Sequence, residues 1–88
     1  MAFYVYIIQS ELDRSYYKGF SEDPFERLLQ HNAGLSRYTS GKIPWKIVYI
    51  EELPTKRDTL IREKAIKKYS HAQIEMLIQS HKNVYNNF

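Results

Sequence analysis

Phe3-Tyr4-Val5-Tyr6-Ile7-Ile8, followed after the polar stretch Ser10 to Ser15 by Tyr16-Tyr17-Lys18-Gly19-Phe20, is the part of the chain whose reading decides the fold. The first segment is β-branched and aromatic throughout and too short for a helix, so it reads as a strand. The second has a strand's composition too, and two strands joined by so short a connection form an antiparallel hairpin. Gly19 interrupts it. A glycine inside a strand weakens it, and marks a bulge or a place where a ligand or another backbone comes close.

Beyond the hairpin, Asp23-Pro24-Phe25-Glu26 has the signature of a helix start, with Asp23 as N-cap, Pro24 at the first helical position and Glu26 completing a capping box. Asn32-Ala33-Gly34 supplies the stop. At about 100° per residue, Phe25, Leu28, Leu29 and Asn32 share one face, the expected core stripe, while Arg27 and His31 lie one turn apart on another. A polar loop from Leu35 to Pro44, carrying Arg37 and Lys42 and no acid, leads into a third strand from Trp45 to Leu53. Thr55 with Asp58 opens a second helix expected to run to Tyr69. Ser70-His71-Ala72-Gln73 announces a third, with Ile74, Leu77 and Ile78 as its apolar face. The expected fold class is α+β: a small three-stranded antiparallel sheet flanked by helices, order β-β-α-β-α-α, as one domain over residues 1–82 with a frayed tail at 83–88.

Composition narrows the function. At 88 residues there is room for one domain and one small core. The absence of cysteine removes disulfides, zinc–thiolate clusters and thiol nucleophiles, and fits a reducing compartment. The longest apolar run, Ala2 to Ile8, falls far short of the roughly 20 residues of a membrane span, and it lacks the basic leading region and cleavage site of a signal peptide. A cytoplasmic protein without membrane association is expected. Tyrosine is the unusual residue, with eight against four Phe and one Trp, so part of the core carries hydroxyls that need partners. The net charge of +3 is modest but unevenly placed: residues 1–54 hold six basic and seven acidic side chains, and residues 55–88 hold seven and three. A basic second helix is ordinarily a solvated face, unless something else points to a polyanion.

Three weaker signals remain. Tyr6 and Tyr17 sit on neighbouring strands, where a cross-strand aromatic pair in the core is the ordinary reading. Arg27 and His31, four apart, are ordinarily a polar helix face. Glu63, with Lys67 four residues later, is ordinarily an ion pair worth a few tenths of a kcal/mol (about 0.2–0.5).

In this order and spacing, however, these residues resemble the GIY-YIG nuclease family. Tyr4-Val5-Tyr6 stands in the place of its first motif and Tyr17-Lys18-Gly19 in that of its second, eleven residues on. Arg27-Leu28-Leu29-Gln30-His31 resembles the family's helix, with its arginine and, in several branches, a histidine one turn later. Arg62-Glu63-Lys64 lies where the family carries its metal-binding glutamate. Ser36-Arg37-Tyr38-Thr39 and Pro44-Trp45-Lys46 resemble the small bacterial members that consist of this domain alone. The likeness extends over roughly residues 3 to 80. Tyr4 replaces the glycine of the first motif and Lys18 the isoleucine of the second; neither position supplies a reactive group.

The resemblance implies hydrolysis of DNA phosphodiesters, including branched or damaged DNA, with one divalent cation, Mg²⁺ or Mn²⁺, held by Glu63. It implies Tyr6 as base or proton relay, Tyr17 as the group orienting water or phosphate, Arg27 as transition-state stabiliser and His31 as alternative proton carrier. A tyrosine of ordinary pKa near 10 is ionised only about one part in a thousand at neutral pH, so Tyr6 needs help to act as a base. Lys18, Gly19, Arg37, Tyr38, Lys42 and Lys46 are the candidates for nucleic-acid contact, and Trp45 for base stacking or core. DNA is the expected partner and RNA its alternative. The competing function is a catalytically inactive nucleic-acid-binding module of the same fold. The catalytic reading requires Tyr6, Tyr17, Arg27, His31 and Glu63 to converge on one cleft.

Overall fold

The computed structural model describes residues 2–85. Strands β1 (Phe3–Ser10), β2 (Tyr16–Ser21) and β3 (Trp45–Leu53) form one antiparallel sheet in the order β2-β1-β3. Helix α1 (Pro24–Asn32) follows β2, and α2 (Lys56–Ile66) and α3 (His71–Ile78) follow β3. The α+β class and the order β-β-α-β-α-α are those expected from the sequence. The loop before β3 additionally holds one 3-10 turn, Ser40–Lys42, and α2 ends one turn earlier than expected. Among the described residues no helix is long and apolar enough to cross a membrane.

The central position of β1 follows from its residues. Val5, Tyr6, Ile7 and Ile8 are all buried, because each face of the sheet is covered. Val5 and Ile7 pack with Tyr49, Ile66, Ile74 and Leu77 under α2 and α3. Tyr6 and Ile8 pack with Trp45, Ile47, Ile50 and Leu28 on the side of α1. β3 serves both layers through a register shift opposite Ile7 and Ile8, where Tyr49 pairs with Ile7 and Ile47 with Ile8. The extra residue, Val48, breaks the strand's alternation and places Tyr49 in one core and Ile47 and Ile50 in the other.

The caps form as the sequence predicts. The Asp23 carboxylate accepts from the Glu26 N–H, the Thr55 hydroxyl from Asp58 and the Ser70 hydroxyl from Gln73, whose side chain completes a capping box. The orientation of α1 differs from expectation. Its inward residues are Pro24, Leu28 and His31, while Leu29 is 65% exposed and Phe25 also faces outward. The helix is turned by about one residue, roughly 100°, from the stripe that hydrophobicity selects. The reason is polar: His31 finds two buried hydrogen-bond partners inside, and Asn32 pairs with β3 through Asn32 Nδ2 to the Trp45 carbonyl (3.0 Å) and Trp45 N–H to Asn32 Oδ1 (2.7 Å).

Nor does the tail fray from Asn83. The Asn83 amide donates to the carbonyls of Val48 and Ile78, both at 2.9 Å, and its oxygen accepts from the N–H groups of Ile50 (3.2 Å) and Tyr85 (3.0 Å). The Val84 N–H adds a bond to the Ile50 carbonyl at 2.9 Å, and Val84 and Tyr85 pack on the α1 side of the core. Residues 86–88 of the expected tail lie outside the described residues. Removing one side chain that serves four backbone groups leaves them unpaired, so Asn83→Ala is expected to cost about 2–3 kcal/mol of stability. For a domain of this size that is a fall in Tm of roughly 10–20 °C. A loss below about 0.5 kcal/mol in urea melts, the range of neutral surface changes, would show that the segment is not anchored through Asn83.

Candidate active site

β1 and β2 pair with Tyr6 opposite Gly19 and Ile8 opposite Tyr17, so Tyr6 and Tyr17 are diagonal neighbours on the α1 face. Gly19 is there for space. A Cβ on it would meet the Tyr6 hydroxyl at 2.6 Å and the ring carbon that bears it at 2.7 Å. The expected role of Gly19 in nucleic-acid contact is therefore corrected: the residue is buried and its missing side chain makes room for the Tyr6 ring.

The Tyr6 hydroxyl meets His31 Nε2 at 3.0 Å, and His31 Nδ1 meets the Thr39 hydroxyl at 2.8 Å. Thr39 in turn donates to the Ser36 carbonyl at 3.4 Å, and its own carbonyl accepts from the Trp45 indole at 2.9 Å. Donation from Thr39 to Ser36 is compatible with the tautomer in which His31 Nδ1–H donates to Thr39 and Nε2 accepts from Tyr6. Burial lowers the His31 pKa, and the nearby Arg27 cation lowers it further, so the ring is neutral at pH 7. Burial likewise raises the Tyr6 pKa, against which the hydrogen bond and charge of Arg27 act; Tyr17 and Glu63 raise it further.

The same influences on Tyr6 locate the remaining members. Arg27 reaches the Tyr6 hydroxyl while donating to Gln30 Oε1 at 2.7 Å, and Tyr17 and Glu63 lie within electrostatic range. Tyr17 is half-buried, its ring centroid 5.0 Å from that of His31 and 5.7 Å from that of Tyr38. Glu63 comes from the inward stripe Thr59, Arg62, Glu63 and Ile66 of α2; its side chain is 14% exposed and Lys67 Nζ stands 3.7 Å from Oε2. The ordinary ion pair is thus present; Glu63 is close enough to Tyr6 to raise its pKa, and Lys67 lines a groove with Tyr17. Beside Glu63, Arg62 bonds Glu51 at 3.0 Å, and Glu51 also accepts from the Tyr49 hydroxyl. That buried network orients α2 on the sheet.

The outlying candidates divide. Lys18 and Tyr38 line a groove of about 270 Å³ with Tyr16, Tyr17 and Lys67, and Tyr38 is 65% exposed. Arg37 is exposed on the neighbouring loop. Lys42 is held by Asp13 and Ser15, both at 3.3 Å, so it braces the β1–β2 turn. Lys46 lies with Glu11 and Arg14 around a separate recess. Trp45 is 3% exposed and belongs to the core, not to a stacking surface. Sequence reasoning did not single out Thr39 or Gln30 as site residues; no periodicity marks Thr39, because it lies in an irregular loop.

No group of three or more His, Cys, Asp or Glu side chains suited to a metal ion occurs among the described residues. One nearly buried carboxylate suits Mg²⁺ or Mn²⁺, which keep their waters and take one or two carboxylates plus phosphate oxygens; it does not suit a structural zinc site.

A family profile described as the GIY-YIG catalytic domain matches residues 2–83. A UPF0213 protein of Clostridium perfringens is 40% identical over 78 residues, covering 88% of this chain and 83% of its own length. One of Haloquadratum walsbyi is 36% identical over 77 residues, covering 86% and 85%. The solution NMR structure of the UPF0213 protein BH0048 from Bacillus halodurans superposes with a TM-score of 0.60 at 31% identity, covering 99% of this chain and 93% of that one.

Two outcomes test the geometry. Gly19→Ala should destabilise the fold by about 1–3 kcal/mol through overpacking, measurable by urea melts; an unchanged midpoint would contradict the contact with Tyr6. His31, with its pKa held below the ordinary 6.5, favours the neutral ring in the folded state. Its stabilisation is full above about pH 6.5, where the unfolded histidine is neutral too, and is lost as pH falls toward the folded pKa. Wild type should therefore lose more stability between pH 7.5 and pH 5 than His31→Gln; equal slopes would refute the burial of a neutral ring.

Proposed function

Because the chain belongs to the GIY-YIG catalytic-domain family, we propose that it is a divalent-metal-dependent endonuclease that hydrolyses DNA phosphodiester bonds. The observation that supports this reading is the hydrogen-bond chain from Tyr6 through neutral His31 to Thr39, with Arg27, Tyr17 and Glu63 within electrostatic range of Tyr6. Hydrolysis requires that water lose a proton as its oxygen bonds phosphorus, and that the departing sugar oxygen gain one as the ester bond breaks. Tyr17, half-buried at the groove, orients the water; the water proton goes to Tyr6, only 1% exposed behind it, as Tyr6 passes its own proton to His31 Nε2, and the departing sugar oxygen takes its proton from solvent. The lowered pKa keeps that nitrogen free to accept. The Arg27 guanidinium, a fork of donors matched to phosphate oxygens, balances charge on the pentavalent phosphorus. Glu63 would hold the Mg²⁺ or Mn²⁺, whose chemistry is to polarise the phosphate and acidify bound water.

The burial of Tyr6 and its raised pKa favour a second reading, in which the domain binds nucleic acid without cutting it. Incubation with linear, nicked, flapped and junction DNA, and with RNA, in Mg²⁺ and in Mn²⁺ separates the two. Glu63→Ala and Arg27→Ala should each lower the cleavage rate at least about a hundredfold. Tyr6→Phe should lower it about a hundred- to ten-thousandfold, as expected for loss of a proton relay. Cleavage that survives all three changes would place the chemistry elsewhere, and salt-sensitive binding without cleavage would favour the second reading.

A further inference from the structure

On the opposite face of the sheet, between the turn end of the hairpin and α3, lies a cleft of about 420 Å³ that the chemistry above does not use. Gln9, Arg14, Tyr16, His71 and Gln79 are among its lining residues, and its volume falls in the roughly 300–1,000 Å³ range of small-ligand sites. Three features point to the same class of occupant. The rings of Tyr16 and His71 stand 4.7 Å apart at 38° and give the cleft an aromatic wall. The Gln9 amide holds the Arg14 carbonyl at 3.1 Å, and the Gln79 side chain makes no hydrogen bond among the described residues; together they offer the donor and acceptor pattern that reads base edges. The third feature is Arg14.

Arg14 has a φ of 68°, in the left-handed region, where glycine would sit with less strain. A strained arginine in a turn is explained if its side chain is used. It forms no ion pair among the described residues; the one acid lining the cleft, Glu75, lies 3.3 Å from His71 Nε2. A guanidinium in that position, held in no ion pair, suits a phosphate.

The cleft is also joined to the catalytic cluster. Tyr16 lines both it and the groove of Tyr17, Lys18, Tyr38 and Lys67 around the edge of β2. A strand with one phosphate at Tyr17 can pass the two lysines, cross Tyr16 and enter the cleft. We propose that the cleft between the hairpin end and α3 binds a further nucleotide of the substrate strand, its base against Tyr16 and His71 and its phosphate on Arg14. This subsite rests on the nucleic-acid reading above and deepens it: the domain recognises a strand at two places on opposite faces of its sheet.

The test uses wild type and Arg14→Gly, with Gln79→Ala as a second variant. Arg14→Gly relieves the strained turn, so its thermal midpoint should equal or exceed that of wild type, which separates loss of binding from loss of folding. Binding of fluorescein-labelled oligodeoxynucleotides, from a dinucleotide to a dodecanucleotide, is followed by anisotropy in EDTA. Wild-type affinity should rise with length until both sites are spanned. Arg14→Gly should remove roughly tenfold of that gain, leave the dinucleotide unaffected, and lower the salt slope by about one. Gln79→Ala should weaken only the long oligonucleotides. Length dependence unchanged in a folded Arg14→Gly, with wild-type cleavage intact, overturns the subsite alone. Failure of wild type to bind any oligonucleotide overturns both the subsite and the nucleic-acid reading, and binding without cleavage retains the subsite and removes only the hydrolytic function.

Discussion

The buried contact between Tyr6 and His31 is the constraint on which the arrangement depends. A histidine with no exposure to solvent carries two ring nitrogens that water would otherwise satisfy. Tyr6 takes one and Thr39 the other. Because His31 is on α1, Tyr6 on the central strand and Thr39 in the loop before β3, this pairing sets how the helix is rotated and where the loop lies. It also requires Gly19, since the Tyr6 ring occupies the volume a side chain there would need.

A comparable polar arrangement acts on the other helix layer. The inward stripe of α2 carries Thr59, Arg62, Glu63 and Ile66, and Leu60 and Ile61 are left outside. Arg62 is held in its charged form: burial works against the cation, but the hydrogen bonds and charge of Glu51, with Tyr49, more than offset that. Burial first, and then the same acid, push the Tyr49 hydroxyl well above its ordinary pKa, so it stays a donor to Glu51. Through this anchoring Glu63 comes within electrostatic range of Tyr6 from the opposite layer. The candidate site is consequently assembled from β1, β2, α1 and α2, around the edge strand.

Much of this was legible in the residue order. The strands announce themselves by β-branched and aromatic runs, and Asp23, Thr55 and Ser70 act as caps because their side chains satisfy N–H groups that lie only three residues away. Arg27, His31, Glu63 and the two tyrosines could be singled out by their order and spacing. Less was legible where a residue's partner is distant. The stripe chosen for α1 was wrong by one residue, since periodicity ranks faces by hydrophobicity and counts a histidine as polar whether or not its nitrogens are satisfied. Lys42 read as a free cation because Asp13, its partner, is remote in sequence. Asn83 read as tail because its partners Val48 and Ile50 are more than thirty residues earlier.

The sequence by itself determined the elements, their order and their caps, all consequences of local chemistry and short-range periodicity, and through its resemblance it named the candidate site residues. Only the tertiary structure decided that Tyr6 lies beneath Gly19, that Thr39 orients His31, that Trp45 is core, and that Glu63 arrives from the far layer. Those are contacts between distant segments, selected by which buried polar groups can be satisfied together, and the hydrophobic pattern of any one segment carries no record of them.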